Sequence, residues 1–148
     1  MMAQMNSQTN RVYERKVRPA VRTVAEVVMH AWAMRSAYAP QAAAVYAHIR
    51  PTARAPLCAI EEEAPDVQEE LTRLLDLAQV ADEYTTMYPN REPATTEHYN
   101  ALLAALGEIA EKAQALQERV TNTRAGLHLG AMAAKAGEAL AIIQQNKA

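Results

Sequence analysis

A chain of 148 residues, half of them hydrophobic and with a formal net charge of −2, is long enough for one domain with a substantial core. Alanine occupies 32 positions, glycine four and phenylalanine none, which excludes an aromatic-rich β core and favours helices whose backbones approach closely. The lone Cys58 excludes an internal disulfide.

Residues 1–10 are polar and uncharged, with neither the basic start nor the apolar stretch of a signal peptide, which predicts an untargeted, soluble protein. Up to residue 57 the chain is basic: Arg11, Arg15, Lys16, Arg18, Arg22, Arg35, Arg50 and Arg54 stand against Glu14 and Glu26, a net of +6. Residues 58–148 hold seven basic and fifteen acidic side chains, a net of −8. This segregation predicts a basic helical arm over 1–57 and an acidic helical bundle over 58–148.

Within the arm, a helix is expected over about 12–38, with Pro19 kinking it or marking its first proper turn. At about 100° per residue, Arg11, Arg15, Arg18 and Arg22 fall within roughly 60° of arc. Val17, Val21, Val24 and Val28 repeat the spacing about 120° away, so one face packs on protein while the other meets anions. The guanidinium forks onto phosphate or carboxylate oxygens and keeps its charge. The same stripe also serves as a solvated face paired with the chain's own acids. Tyr13, Tyr38 and Tyr46 lie among these charges, as packing residues rather than stacking platforms for bases.

Pro40 ends the helix, a short one follows over 41–49, and Pro51, Pro56 and Pro65 mark a linker. Its run Glu61, Glu62, Glu63 reads as a solvated cluster at a helix start. The next helix begins near Asp66, with a core stripe of Val67, Leu71, Leu74, Ala78 and Ala81. After a loop over 85–95 comes the clearest periodicity, over 96–122. There Tyr99, Leu102, Leu106, Ile109, Ala113, Leu116 and Val120 form a heptad seam for antiparallel bundle packing or a coiled coil. In the last helix, over 125–145, Gly126, Gly130, Ala134, Gly137 and Ala141 form a ridge predicted to let another helix approach closely. Lys135 and Glu138 near its middle oppose membrane insertion and are placed to pair with each other.

No pattern of catalysis emerges. His30, His48, His98 and His128 are scattered, and no glycine-rich phosphate loop or metal-ligand spacing is present, so neither an enzyme nor a cofactor is expected. Nothing matches a base-reading motif, so any nucleic acid would be bound through its backbone.

The layout resembles the coat proteins of rod-shaped and filamentous double-stranded DNA viruses of hyperthermophilic archaea. The features that carry it are the arm with its breaks at Pro19, Pro40 and Pro51 and the alanine-rich bundle from Asp66 onward. The resemblance implies an all-α fold, a proline-kinked helical N-terminal arm plus a compact C-terminal helical bundle. It implies a virion protein, made in the host cytoplasm, that wraps duplex DNA without sequence specificity. It further implies dimers, with a second copy or a paralogous coat subunit, stacked into a helical filament. Arg11, Arg15, Lys16, Arg18, Arg22, Arg35, Arg50 and Arg54 are then its phosphate contacts. The competing expectation is a protein-binding structural adaptor of a phage or secretion-system assembly. In that reading the arginine ridge docks on a neighbour's acids and the heptad helix drives self-association.

Overall fold

A computed structural model of the chain describes residues 13–38, 63–86 and 96–145, and every regular element among them is helical. A π turn (Tyr13–Val17) and a 3-10 turn (Arg18–Ala20) lead into α1 (Val21–Tyr38), followed by α2 (Pro65–Thr86), α3 (Thr96–Gln117) and α4 (Thr123–Gln145). The two irregular turns have a local cause. Pro19 has no N–H to give to the carbonyl four residues back, so the α-helical ladder cannot run through it. The chain winds through a 3-10 turn in which Val21 N–H reaches Arg18 O, and only then does α1 begin.

Each helix packs on two others, α1 on α4, α4 on α3, α3 on α2 and α2 on α1. Long-range contacts fix the directions. Tyr13 near the start of the chain meets Thr85 at the end of α2, and Tyr38 at the end of α1 meets Glu63 just before α2. Arg73 pairs with Glu108, and Asn122 reaches back to Ala37. All four neighbouring pairs run antiparallel, giving an up-down-up-down four-helix bundle. Among the described residues no helix is long and apolar enough to cross a membrane.

The expected stripes supply the core. Val67, Leu71, Leu74, Ala78 and Ala81 are all buried on α2, and Leu102, Leu106, Ile109, Ala113 and Leu116 on α3. Each large side chain among them contributes about 1.5–3 kcal/mol by leaving water. The α3 seam is thus used up inside the chain and is not free to drive self-association. Of the expected valine stripe, Val17, Val24 and Val28 are buried and Val21 is half-buried; with Val27, Ala31 and Met34 also buried, residues 13–38 share one core with the other helices. The basic segment, as far as it is described, is the first helix of the bundle and not an arm separate from it. The boundary after residue 57, the predicted helix over 41–49 and Arg11, Arg50 and Arg54 lie outside the described residues.

The predicted close approach on α4 holds at the start of the small-residue ridge, where Gly126 is buried and Gly130 lies so near the Gln117 side chain that an added β-carbon would meet it at 2.7 Å; beyond that the ridge is a correction. The helix's packing face is Ala125, Leu129, Met132, Ala136, Ala139 and Ile143, all fully buried, while Ala134 and Ala141 are exposed. A β-carbon added at Gly137 would meet nothing within 4 Å. The large apolar side chains decide which face turns inward, and they lie about half a turn away from the small-residue line. Lys135 and Glu138 do pair, at 3.4 Å, and Lys135 also reaches Glu26 of α1 at 3.0 Å.

α3 ends at Gln117, earlier than its periodicity predicts, and Glu63 supplies the reason. Only 4% exposed, the Glu63 carboxylate accepts hydrogen bonds from Tyr38 Oη (2.6 Å), Thr121 N (3.0 Å) and Thr121 Oγ1 (2.9 Å), with Asn122 N at 3.3 Å. The backbone N–H groups that would have continued α3 point at this carboxylate instead. Asn122 then caps α4: its Oδ1 accepts from Ala125 N at 3.0 Å, three residues on, while its Nδ2 donates to Ala37 O at 3.1 Å. Three separate passages of the chain are joined at one end of the bundle.

Candidate polyanion interface

The buried valines fix the rotation of the N-terminal helical segment and so decide what it shows to solvent. Arg15, Arg18 and Arg22 are exposed on the side away from the core. The π and 3-10 turns wind at different rates from an α-helix, so the ridge is not the straight line that 100° per residue draws. Arg18 and Arg22 also edge a cleft of about 580 Å³ lined by Tyr13, Glu14, Val21 and Thr85.

Arg18 donates to Glu14 at 2.6 Å, a pair in which both side chains are more than half exposed. Such a pair is worth about 0–1 kcal/mol, so a phosphate can displace the carboxylate at little cost. Among the described residues, Arg15 and Arg22 enter no hydrogen bond or ion pair. Glu26, one turn beyond Arg22, is held below the ordinary carboxylate range, first by its hydrogen bond from Lys135 and then, with burial opposing, by the nearby charges of Lys135 and Arg22.

The remaining predicted contacts are placed differently. Lys16 is half-buried with its Nζ 5.8 Å from the centre of the Tyr99 ring, and the Arg35 guanidinium lies 4.9 Å from the centre of the Trp32 ring. Both are cation–π arrangements that turn the charge toward an aromatic face. Burial lowers the Arg35 pKa from its ordinary value. Of the eight cations expected to act together, the described structure gathers Arg15, Arg18 and Arg22 and sets Lys16 and Arg35 against rings. Tyr13 and Tyr38 are buried and hydrogen-bonded, so neither offers a face to a base.

Two arrangements escape sequence reasoning. Glu63 is not part of a solvated cluster, since four polar groups surround it. Burial pushes its carboxyl pKa up, but the hydrogen bonds from Tyr38, Thr121 and Asn122 outweigh burial and leave it below the ordinary range. Its partners lie 25 to 59 positions away, beyond any local pattern. His30 and His128, 98 positions apart, meet at 3.1 Å between α1 and α4. The only trace in the sequence is that each histidine stands within a local apolar run, Val27–Met34 on α1 and Ala125–Ala134 on α4. Elsewhere, His98 stacks on Tyr84 at 5.2 Å. No group of three histidine, cysteine or acidic side chains that could hold a metal ion occurs among the described residues.

No family model matches the chain, and no curated protein or solved structure is significantly similar to it.

Proposed function

We propose that the chain is a non-catalytic structural protein whose N-terminal basic face clamps the phosphate backbone of double-stranded DNA without reading sequence. Copies then assemble, as dimers stacked in a helical filament, into a virion coat of the kind the layout resembles. The supporting observation is the exposure of Arg15, Arg18 and Arg22 on one side of a segment whose valines are anchored in the core. A row of guanidinium groups on a segment anchored in the core suits a regularly spaced polyanion, because the backbone that carries them needs no ordering on binding. Duplex DNA carries one charge per ~1.7 Å of axis, and each phosphate neutralised releases counterions.

A second reading is favoured by the Glu14–Arg18 pair, which shows the ridge accepting a carboxylate. In that reading the ridge docks on the acidic surface of another protein within an assembly. Binding to random-sequence duplex DNA across a salt series separates the two. The DNA reading expects binding at low salt, with a salt slope that is shallower in Arg15→Gln/Arg18→Gln/Arg22→Gln by about 0.9 for each phosphate the variant leaves unneutralised. Absence of binding at low salt, or a slope unchanged in the triple variant, sinks it and leaves the adaptor.

A further inference from the structure

His30 of α1 and His128 of α4 approach Nδ1 to Nδ1 at 3.1 Å, with ring centroids 5.4 Å apart and planes tilted by 38°. The centroid separation equals the nitrogen separation lengthened by two imidazole radii of about 1.15 Å each, so both Nδ1 atoms lie on the line between the ring centres. The outward axis at an imidazole nitrogen runs along the ring radius, and each Nδ1 therefore aims at the other. A metal ion shared by both rings, about 2.0–2.1 Å from each nitrogen, would require the two axes to meet at an angle of about 98°. Collinear axes leave no such meeting point. A proton fits the space, with Nδ1–H of one ring donating to the bare Nδ1 of its partner.

We infer that His30 and His128 form a proton-operated latch between α1 and α4, closed by a single Nδ1–H···Nδ1 bridge and released when both rings are protonated. The neutral pair holds one bridging proton, with the other ring carrying its proton on Nε2. A first added proton makes one ring an imidazolium and keeps the bridge, now charge-assisted. A second places N–H against H–N and two positive charges at the same short distance, and the pair must part.

The surroundings act in both directions. On α4, Arg124 adds positive charge beside His128; on α1, Glu26 lies one turn before His30 and attracts it, while engaged by Lys135, which Glu138 also holds. Arg22 acts on the same Glu26. Among the described residues, α2 and α3 bring no titratable group against either ring. Burial, then His30, then Arg124 push the His128 pKa below its ordinary value. The unfolded chain then binds protons that the folded one refuses, so stability rises with pH through the window just below the free histidine value of about 6.5 and falls on acidification across it. Glu26 stays ionised in that window, so the Glu26–Lys135 bridge still ties the far part of the same interface. Asn122 Nδ2 on Ala37 O ties the end nearer the C-terminus of α1, so opening is confined to the stretch between these two ties.

The test has two parts. Histidine ring 15N spectra of the wild-type protein at pH 8 should show one of His30 and His128 carrying its proton on Nδ1 and the other on Nε2. Melting followed by Trp32, the only tryptophan and two residues from His30, should give a Tm lower by roughly 2–4 °C at pH 5.5 than at pH 7.5. That fall should vanish in His30→Gln/His128→Gln and persist in His98→Gln and His48→Gln. Both rings protonated on Nε2 at pH 8 would overturn the latch, as would a fall that survives in the double variant. The tautomer measurement needs no variant and decides the matter even where a substitution prevents folding.

Discussion

Replacing Glu63 by alanine tests the end of the bundle most directly. The substitution leaves Tyr38 Oη and the N–H groups of Thr121 and Asn122 without their acceptor, and Tyr38 is only 6% exposed. A buried donor stripped of its partner costs about 1–3 kcal/mol. Thr121 is exposed and water can serve it, so the loss falls chiefly on Tyr38 and Asn122, about 2–4 kcal/mol in all. For a domain of this length that lowers Tm by roughly 5–15 °C. Melts followed by circular dichroism at 222 nm at pH 7 measure it. Tyr38→Phe should cost about 1 kcal/mol in the wild type and less beside Glu63→Ala, because the hydrogen bond to Glu63 is already gone. The pH sign follows from the depressed carboxyl: the contribution is fully present above the unfolded carboxyl pKa and is lost as pH falls through the lower folded value. That acid window lies below the histidine window. A Glu63→Ala cost under about 0.5 kcal/mol, or equal Tyr38→Phe costs in both backgrounds, would refute the reasoning.

Two further substitutions check the local chemistry. Asn122→Ala removes both the cap on Ala125 N and the donor to Ala37 O and should cost about 1–2 kcal/mol in urea unfolding, with Asn122→Asp recovering the cap alone. Gly107→Ala and Gly137→Ala place a methyl group where nothing stands within 4 Å, in the interiors of α3 and α4. Each should stabilise by about 0.5–1 kcal/mol, and their effects on Tm should add, since they sit in different helices.

Features of the fold with helical period and large apolar side chains were legible in the sequence. The α2 stripe and the α3 seam from Leu102 to Leu116 are buried as their spacing requires, while Tyr99 and Val120 at the two ends of the seam are half-buried. Several leucines on one line leave a helix a single rotation that removes them all from water. Beyond Gly130 the small-residue line on α4 misled for the same reason. Glycine and alanine permit close approach but contribute little to it, and Leu129, Met132 and Ile143 outweigh them. The exposure of Arg15, Arg18 and Arg22 was legible from the valines opposite. The diversion of Lys16 to Tyr99 and of Arg35 to Trp32 was not: the first depends on a partner in another helix, the second on a side-chain conformation that residue spacing leaves open. Glu63 illustrates the same limit, for an acid beside two other acids reads as surface until Thr121 and Asn122 are brought to it.

The junction at Glu63 also bears on the order of assembly. α3 and α4 are joined by a five-residue turn, and such a hairpin closes quickly because little chain entropy is lost. The carboxylate cannot be satisfied until the end of α1, the start of α2 and that turn have all arrived, across separations of 25 and 58 positions. A junction of that reach is expected to form after the rate-limiting step. Its loss should appear as faster unfolding with a nearly unchanged folding rate, a φ-value near zero at a position with a large effect on stability. The bundle's lifetime, more than its speed of formation, rests on one carboxylate.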